Sequence, residues 1–184
     1  MTELNSIEDI ERLYIARGVL HYGEGVTQME HALQSAARAE ARACSPSLVI
    51  AALLHDVGHL LEKDEHLAER GADDHHEATG ARALARLFGD AVWRPVALHV
   101  AAKRYLCLTE PRYLAGLSAA SQRSLVLQGG PFSQAQAAAF QRASYWQEAV
   151  LLRRFDDMGK RDEDSDRDFS FYGPMMRSLL SAAG

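Results

Sequence analysis

Apolar residues recur at intervals of three and four along most of the chain, as in HALQSAARAEARA from His31 and GARALARLF from Gly80. That period marks a helix with one buried face. The abundance of alanine, the residue of highest helix propensity, reinforces it. No stretch alternates polar and apolar positions with Val, Ile and Thr, so no sheet is expected. The pattern predicts an all-α fold with helices at about 6–20, 28–43, 46–61, 75–88, 91–106, 110–115, 118–128, 133–143, 144–157 and 171–182. Ser45 can cap a helix whose first turn holds Pro46, and Ser133 can cap the helix after Pro131. Gly130-Pro131 and Gly173-Pro174 read as breaks. The polar, acidic stretch 62–75 and the charged stretch 159–170 read as loops. No internal repeat or long linker divides the chain, so residues 1–184 are expected to form a single domain.

Composition narrows the function classes. The chain has 184 residues, 47% of them hydrophobic and 24% charged, with a net charge of -5. This is ordinary globular composition and excludes general disorder. A mildly acidic chain argues against nonspecific binding to nucleic acid or to a membrane surface. No apolar run is long enough to span a bilayer. The first residues, MTELNSIEDIERLY, lack the basic-then-apolar order of a signal peptide, so a cytoplasmic location is expected. Cys44 and Cys107 do not make a disulfide framework and are read as buried thiols.

All eight histidines lie between His21 and His99. The strongest segment is Leu53-Leu54-His55-Asp56-Val57-Gly58-His59, where the apolar run VIAALL leads directly into adjacent His and Asp. Burying that aspartate costs on the order of several kcal/mol unless its charge is compensated. A divalent metal compensates it, and imidazole with carboxylate is a good ligand set for one; a hydrogen-bonded His–Asp pair in a core is the alternative. His59 lies one turn after His55, so both can face one cavity. His31, His76 and His99 are further candidates, His99 in the apolar context PVALHVAAK. A late aspartate after an apolar helix would be Asp156 or Asp157. The order H…HD…H…H…D resembles the HD-domain superfamily, which implies a helical bundle whose inward side chains hold one or two metals.

Several longer stretches are more specific. They are Gly23-Glu24, QMEHALQ (Gln28–Gln34), AALLHDVGH (Ala51–His59), His76-Glu77, HVAAKRYL (His99–Leu106), Leu117-Ser118 with Ala120-Ser121, QGGP (Gln128–Pro131), and Asp156 with Gly159-Lys160. With these, residues 20 to 175 or so resemble the small HD-domain oxygenases that cleave the carbon–phosphorus bond of organophosphonates. The register of that resemblance selects Asp156. It implies two iron ions in the Fe(II)/Fe(III) state: one held by His31, His55, Asp56 and Asp156, the other by Asp56, His76 and His99, with Asp56 bridging. The implied co-substrate is O2, and the implied products are phosphate and a carboxylic acid.

The same resemblance assigns the phosphonate to His59, Lys103, Ser121, Ser124 and Gln128. The residues fit such a role. Lys103 lies one turn after His99, and Ser121, Ser124 and Gln128 share one helix face. Arg153 is a further cavity candidate. Tyr22 and Glu24 correspond to a lid in which a tyrosine can occupy an iron site until substrate displaces it. Alignment without gaps from His31 puts His21, not Tyr22, at the tyrosine position. Either Tyr22 serves through a small loop shift, or the switch is absent.

The resemblance implies a substrate with a cation two carbons from phosphorus. Glu24, Tyr22 and the pair Asp73-Asp74 are the groups on offer for it, and the ADDHHE stretch is more similar to the branch acting on the trimethylammonio substrate. The expectation is therefore 1-hydroxy-2-(trimethylammonio)ethylphosphonate going to glycine betaine, with 2-amino-1-hydroxyethylphosphonate going to glycine as the alternative. An upstream phosphonate hydroxylase would be the pathway partner. The rivals are an HD-type phosphohydrolase using a metal-bound hydroxide, a ring-cleaving oxygenase of the myo-inositol type, and a non-enzymatic binding module.

Overall fold

The computed structural model describes residues 3–21, 25–61, 75–160 and 167–181. Its helices are α1 (Ile7–Arg17), α2 (Gln28–Ala41), α3 (Pro46–Leu54), α4 (Val57–Leu61), α5 (His76–Leu84), α6 (Asp90–Thr109), α7 (Pro111–Gly116), α8 (Ala119–Leu127), α9 (Gln134–Phe140), α10 (Trp146–Met158) and α11 (Gly173–Ser178). Among the described residues there is no strand, only a single antiparallel bridge between Phe88 and Leu180. The all-α reading holds.

The bundle is organised around α3. Every residue from Leu48 to Leu54 is buried, so this helix has no solvent face and belongs at the centre. Each large aliphatic side chain buried there contributes roughly 1.5–3 kcal/mol. Helices α2, α6, α10 and α11 pack around it, with α10 also lying along α6 and α2. Tyr14 of α1 is buried and donates a hydrogen bond to the Leu53 carbonyl at 3.1 Å.

Local chemistry sets the starts. Ser45 accepts from Leu48 N ahead of Pro46, and Ser133 forms a reciprocal capping box with Gln136. Thr27 and Glu30 form another, fixing the start of α2 one turn before His31. Helix α6 runs through Pro95, as the pattern anticipated.

The helix expected over 46–61 is instead two. Helix α3 ends at Leu54, His55 and Asp56 form a turn, and α4 begins at Val57. The apolar period runs unbroken through this point, so the turn leaves no mark in it. The break lies where α4 meets α5, packed so closely that a β-carbon on Gly58 would clash with the His76 backbone. Helix α5 stops at Leu84 rather than 88, because the chain beyond turns to pair with the C-terminal segment, where Ser181 N donates to Leu87 O at 2.8 Å. The 171–182 helix begins as a 3-10 turn, Phe169–Tyr172. Cys107 is buried in α6, and Cys44 is half-buried just beyond α2. No helix of the described residues is long and apolar enough to cross a membrane.

Candidate metal centre and anion pocket

Two groups of ligand atoms face one another in the middle of the bundle. His31 of α2, His55 at the end of α3 and Asp156 of α10 form one; Asp56, His76 of α5 and His99 of α6 form the other. Within each group the ligand atoms lie within 4.8 Å of one another. Asp56 stands between them. Its Oδ2 is 3.5 Å from His31 Nε2, and its Oδ1 is 3.5, 3.6 and 3.7 Å from Nε2 of His55, His76 and His99. The turn between α3 and α4 brings it there. A continuous helix would point consecutive residues 55 and 56 about 100° apart, whereas here both reach the same centre.

The ring tautomers are set by the main chain. Nδ1 of His31 donates to the Gly159 carbonyl at 2.8 Å, that of His55 to Ala52 O at 2.9 Å, and that of His99 to Val96 O at 2.7 Å. A carbonyl only accepts, so each Nδ1 carries the hydrogen and each Nε2 turns a lone pair inward. Nε2 of His76 and His99 are 3.1 Å apart, and so are those of His31 and His55, where both atoms then carry an inward lone pair. Two lone pairs at that separation repel unless a positive charge lies between or beside them. Burial disfavours the imidazolium at His31, but the neighbouring Asp156 carboxylate outweighs it and raises the ring's pKa. Burial pushes His55 and His99 the other way. Burial also opposes charge on Asp56 and Asp156, yet the surrounding imidazoles, and for Asp156 Arg153 and Lys160, hold both below the usual carboxylate range. Anionic carboxylates and inward Nε2 atoms in two groups form a donor set that fits a pair of divalent transition metals.

Beside the first group lies a cluster of cations. Lys103 is buried on α6 and donates to Ser124 Oγ at 2.7 Å. Burial, helped by the nearby Arg153, pushes its pKa down to about 7. Ser124 passes its own hydrogen to the Ser121 carbonyl at 3.1 Å. Ser121 Oγ accepts from Arg153 at 3.3 Å and from Lys160 at 3.1 Å. With two donors aimed at its oxygen, Ser121 has its hydroxyl hydrogen left for a third partner. Gln128 caps α8, and its Oε1 is buried with no hydrogen-bond partner. The ring of His59 stacks on that of His76, centroids 3.9 Å apart.

The structure therefore brings together His31, His55, Asp56, His76, His99 and Asp156, and sets Lys103, Ser121, Ser124 and Arg153 in one hydrogen-bonded or electrostatic network beside Asp156. Tyr22, Glu24, Asp73 and Asp74 lie outside the described residues. Asp157, the other late aspartate, turns away from both groups to Arg153 and Tyr113. Sequence reasoning missed Lys160, whose Nζ is 3.2 Å from Asp156 Oδ1. It lies two residues past the end of α10, in the Gly159-Lys160 stretch already singled out by resemblance but given no role there.

The sequence profile of the HD domain matches residues 29–127, a span that takes in His31, His55, Asp56, His76 and His99. The chain is similar to the hydroxymethylphosphonate dioxygenase of Gimesia maris, 49% identical over 145 residues that cover 78% of this chain and 72% of that protein. It is also similar to the glycine-betaine-forming 1-hydroxy-2-(trimethylamino)ethyl phosphonate dioxygenase of Leisingera caerulea, 36% identical over 178 residues, 96% of this chain and 91% of that protein. At these identities, over this much of both relatives, the chain belongs to the HD-domain family of phosphonate oxygenases.

Proposed function

We propose that this protein cleaves the carbon–phosphorus bond of a 1-hydroxyphosphonate with O2, releasing phosphate and a carboxylic acid. The observation that carries the reading is the adjacency of two metal-ready groups, with Asp56 between them, to a cluster of buried Lys103 and Ser121 with half-buried Ser124. His31, His55, Asp56 and Asp156 would hold one iron, and Asp56, His76 and His99 the other. Bound there in the Fe(II)/Fe(III) state, the pair would supply O2 activation and removal of the C1 hydrogen.

The chain's own residues do the rest. Protonated Lys103 binds a phosphonate oxygen with its charge, and Ser124 steadies the ammonium by accepting from it. Ser121 donates its remaining hydroxyl hydrogen. Gln128 and His59 complete the anion site. Burial strengthens each of these contacts and keeps water from the reacting carbon. A neutral polyol would gain nothing from these cations, which argues against the inositol-type reading. A 1-hydroxylated substrate calls for a phosphonate hydroxylase upstream.

For the group beyond C1 we retain the trimethylammonio substrate, with glycine betaine as product. Its support is the relative that aligns with nearly the whole of this chain and is named for that substrate. The second reading is hydroxymethylphosphonate, which has no such group; its support is the 49% identical relative named for it. The 2-amino analogue remains the third substrate to compare.

The test is phosphate release by iron-loaded protein from all three 1-hydroxyphosphonates, with and without O2. Oxygen-dependent release is expected, and the ratio of kcat/KM names the substrate. Hydrolysis of phosphate esters without O2, and no release from any phosphonate, would sink the oxygenase reading in favour of a phosphohydrolase.

A further inference from the structure

We propose that Arg153 is a positioning residue of the metal centre: it grips one oxygen of Asp156 and leaves the other to ligate metal. The inference rests on the reading of Asp156 as a metal ligand. Asp156 Oδ1 faces the histidines, 3.4 Å from His31 Nε2 and 3.9 Å from His55 Nε2. Its Oδ2 is turned to Arg153 Nη1 at 2.6 Å. A charge-assisted hydrogen bond at that distance engages this oxygen on the side away from the histidines and opposes its swinging round to chelate.

Four of the five guanidinium N–H groups are already engaged by protein. Nη1 is on Asp156, Nη2 is on Asp157 and on Ser121 Oγ, and Nε donates to Tyr113 OH at 2.9 Å and to Asp157 Oδ2 at 3.3 Å. The side chain is buried, and α7, α8 and α10 each contribute to its cage. Arg153 is thus locked from outside by Asp157 and Tyr113 and acts inward on Asp156. Asp157 also balances the guanidinium charge, so what reaches the metal ligand is orientation more than repulsion. Lys160 contacts the metal-facing oxygen, Oδ1, at 3.2 Å, and limits how strongly that oxygen donates. A one-oxygen ligand leaves a coordination position that a two-oxygen ligand would fill.

The test uses Co(II) as the probe metal, loaded into metal-free protein without substrate, and reads stoichiometry and the visible d–d spectrum. Arg153→Met keeps the bulk and removes the grip. The freed oxygen then raises the coordination number and the visible absorption loses intensity, while Lys103→Met, with the grip intact, retains the parent spectrum. Asp157→Asn removes the outer lock and leaves the guanidinium in place; it shifts the spectrum in the same direction by less, and serves if Arg153→Met does not fold. A parent-like spectrum in both the Arg153 and Asp157 variants overturns the inference, and a raised KM for the phosphonate alongside it would make Arg153 a substrate ligand. Parent protein that binds no Co(II) would overturn the metal-centre reading itself.

Discussion

Gly58 lies directly beneath the carbonyl of His76: a β-carbon at position 58 would stand 1.9 Å from that oxygen. The contact is backbone against backbone, so no rotamer change relieves it. Gly58→Ala must push α5 away from α4, and His76 leaves its partners His99 and Asp56. Overpacking of this kind costs about 1–3 kcal/mol or more. The expected outcome is a lower melting temperature together with loss of one of two metals per chain. Metal analysis that still finds both would show that α5 tolerates the shift.

Asp56 has imidazoles on both sides of one carboxylate. Asp56→Asn keeps the shape and removes the charge. Metal affinity should fall by more than the roughly 10–100-fold seen when an outer-shell partner is lost, because Asp56 lies within reach of the histidines of both groups. Calorimetric titration of metal-free protein reads this directly, and retention of two tightly bound metals would remove Asp56 from the centre.

Lys103 gives the site a pH limit. Its pKa, pushed down to about 7 by burial and by Arg153, means the free enzyme carries the ammonium below that pH and loses it above. An anionic substrate needs the ammonium, so kcat/KM should fall as pH rises through about 7, since kcat/KM reports groups of the free enzyme. In Lys103→Met the falling limb should vanish from a profile that is low throughout. A limb that persists in that variant would assign it to another group.

Ala43 occupies the position where helices ordinarily end on glycine. Its φ is 51°, and the two bonds that close the end of α2 are both present, Ala43 N to Glu40 O at 2.8 Å and Cys44 N to Ala39 O at 3.2 Å. The left-handed conformation costs alanine about 1–2 kcal/mol, and glycine's freer unfolded chain takes back about 0.4–1. Ala43→Gly should therefore raise stability by roughly 0.5–1 kcal/mol. Urea unfolding checks it, with a lower midpoint as the contrary result.

Much of this site was legible in the chain because its chemistry is local. His55 and Asp56 stand where an apolar run meets two polar groups, and His99 and Lys103 share a helix face by spacing alone. What was not legible depends on approach between distant segments. The turn at His55–Asp56 leaves the apolar period unbroken, so one long helix was expected where α3 and α4 lie. Arg153 reads the same in sequence whether it meets a ligand or a carboxylate; only the arrival of Asp157, Tyr113 and Ser121 around it separates the two. Gly159 carries no side-chain signal at all, yet its carbonyl aims His31.

The carbonyls behind His31, His55 and His99 belong to Gly159, Ala52 and Val96. Every amino acid supplies that oxygen, so replacing those side chains does not by itself delete the hydrogen bond that fixes the ring. The aim of His55 and His99 thus does not depend on the side chains at 52 and 96, whereas a β-carbon at Gly159 would stand 2.5 Å from Ser35 Oγ; Lys103, Ser121 and their neighbours act through their side chains. A scaffold built this way can trade one substrate for another without rebuilding its centre.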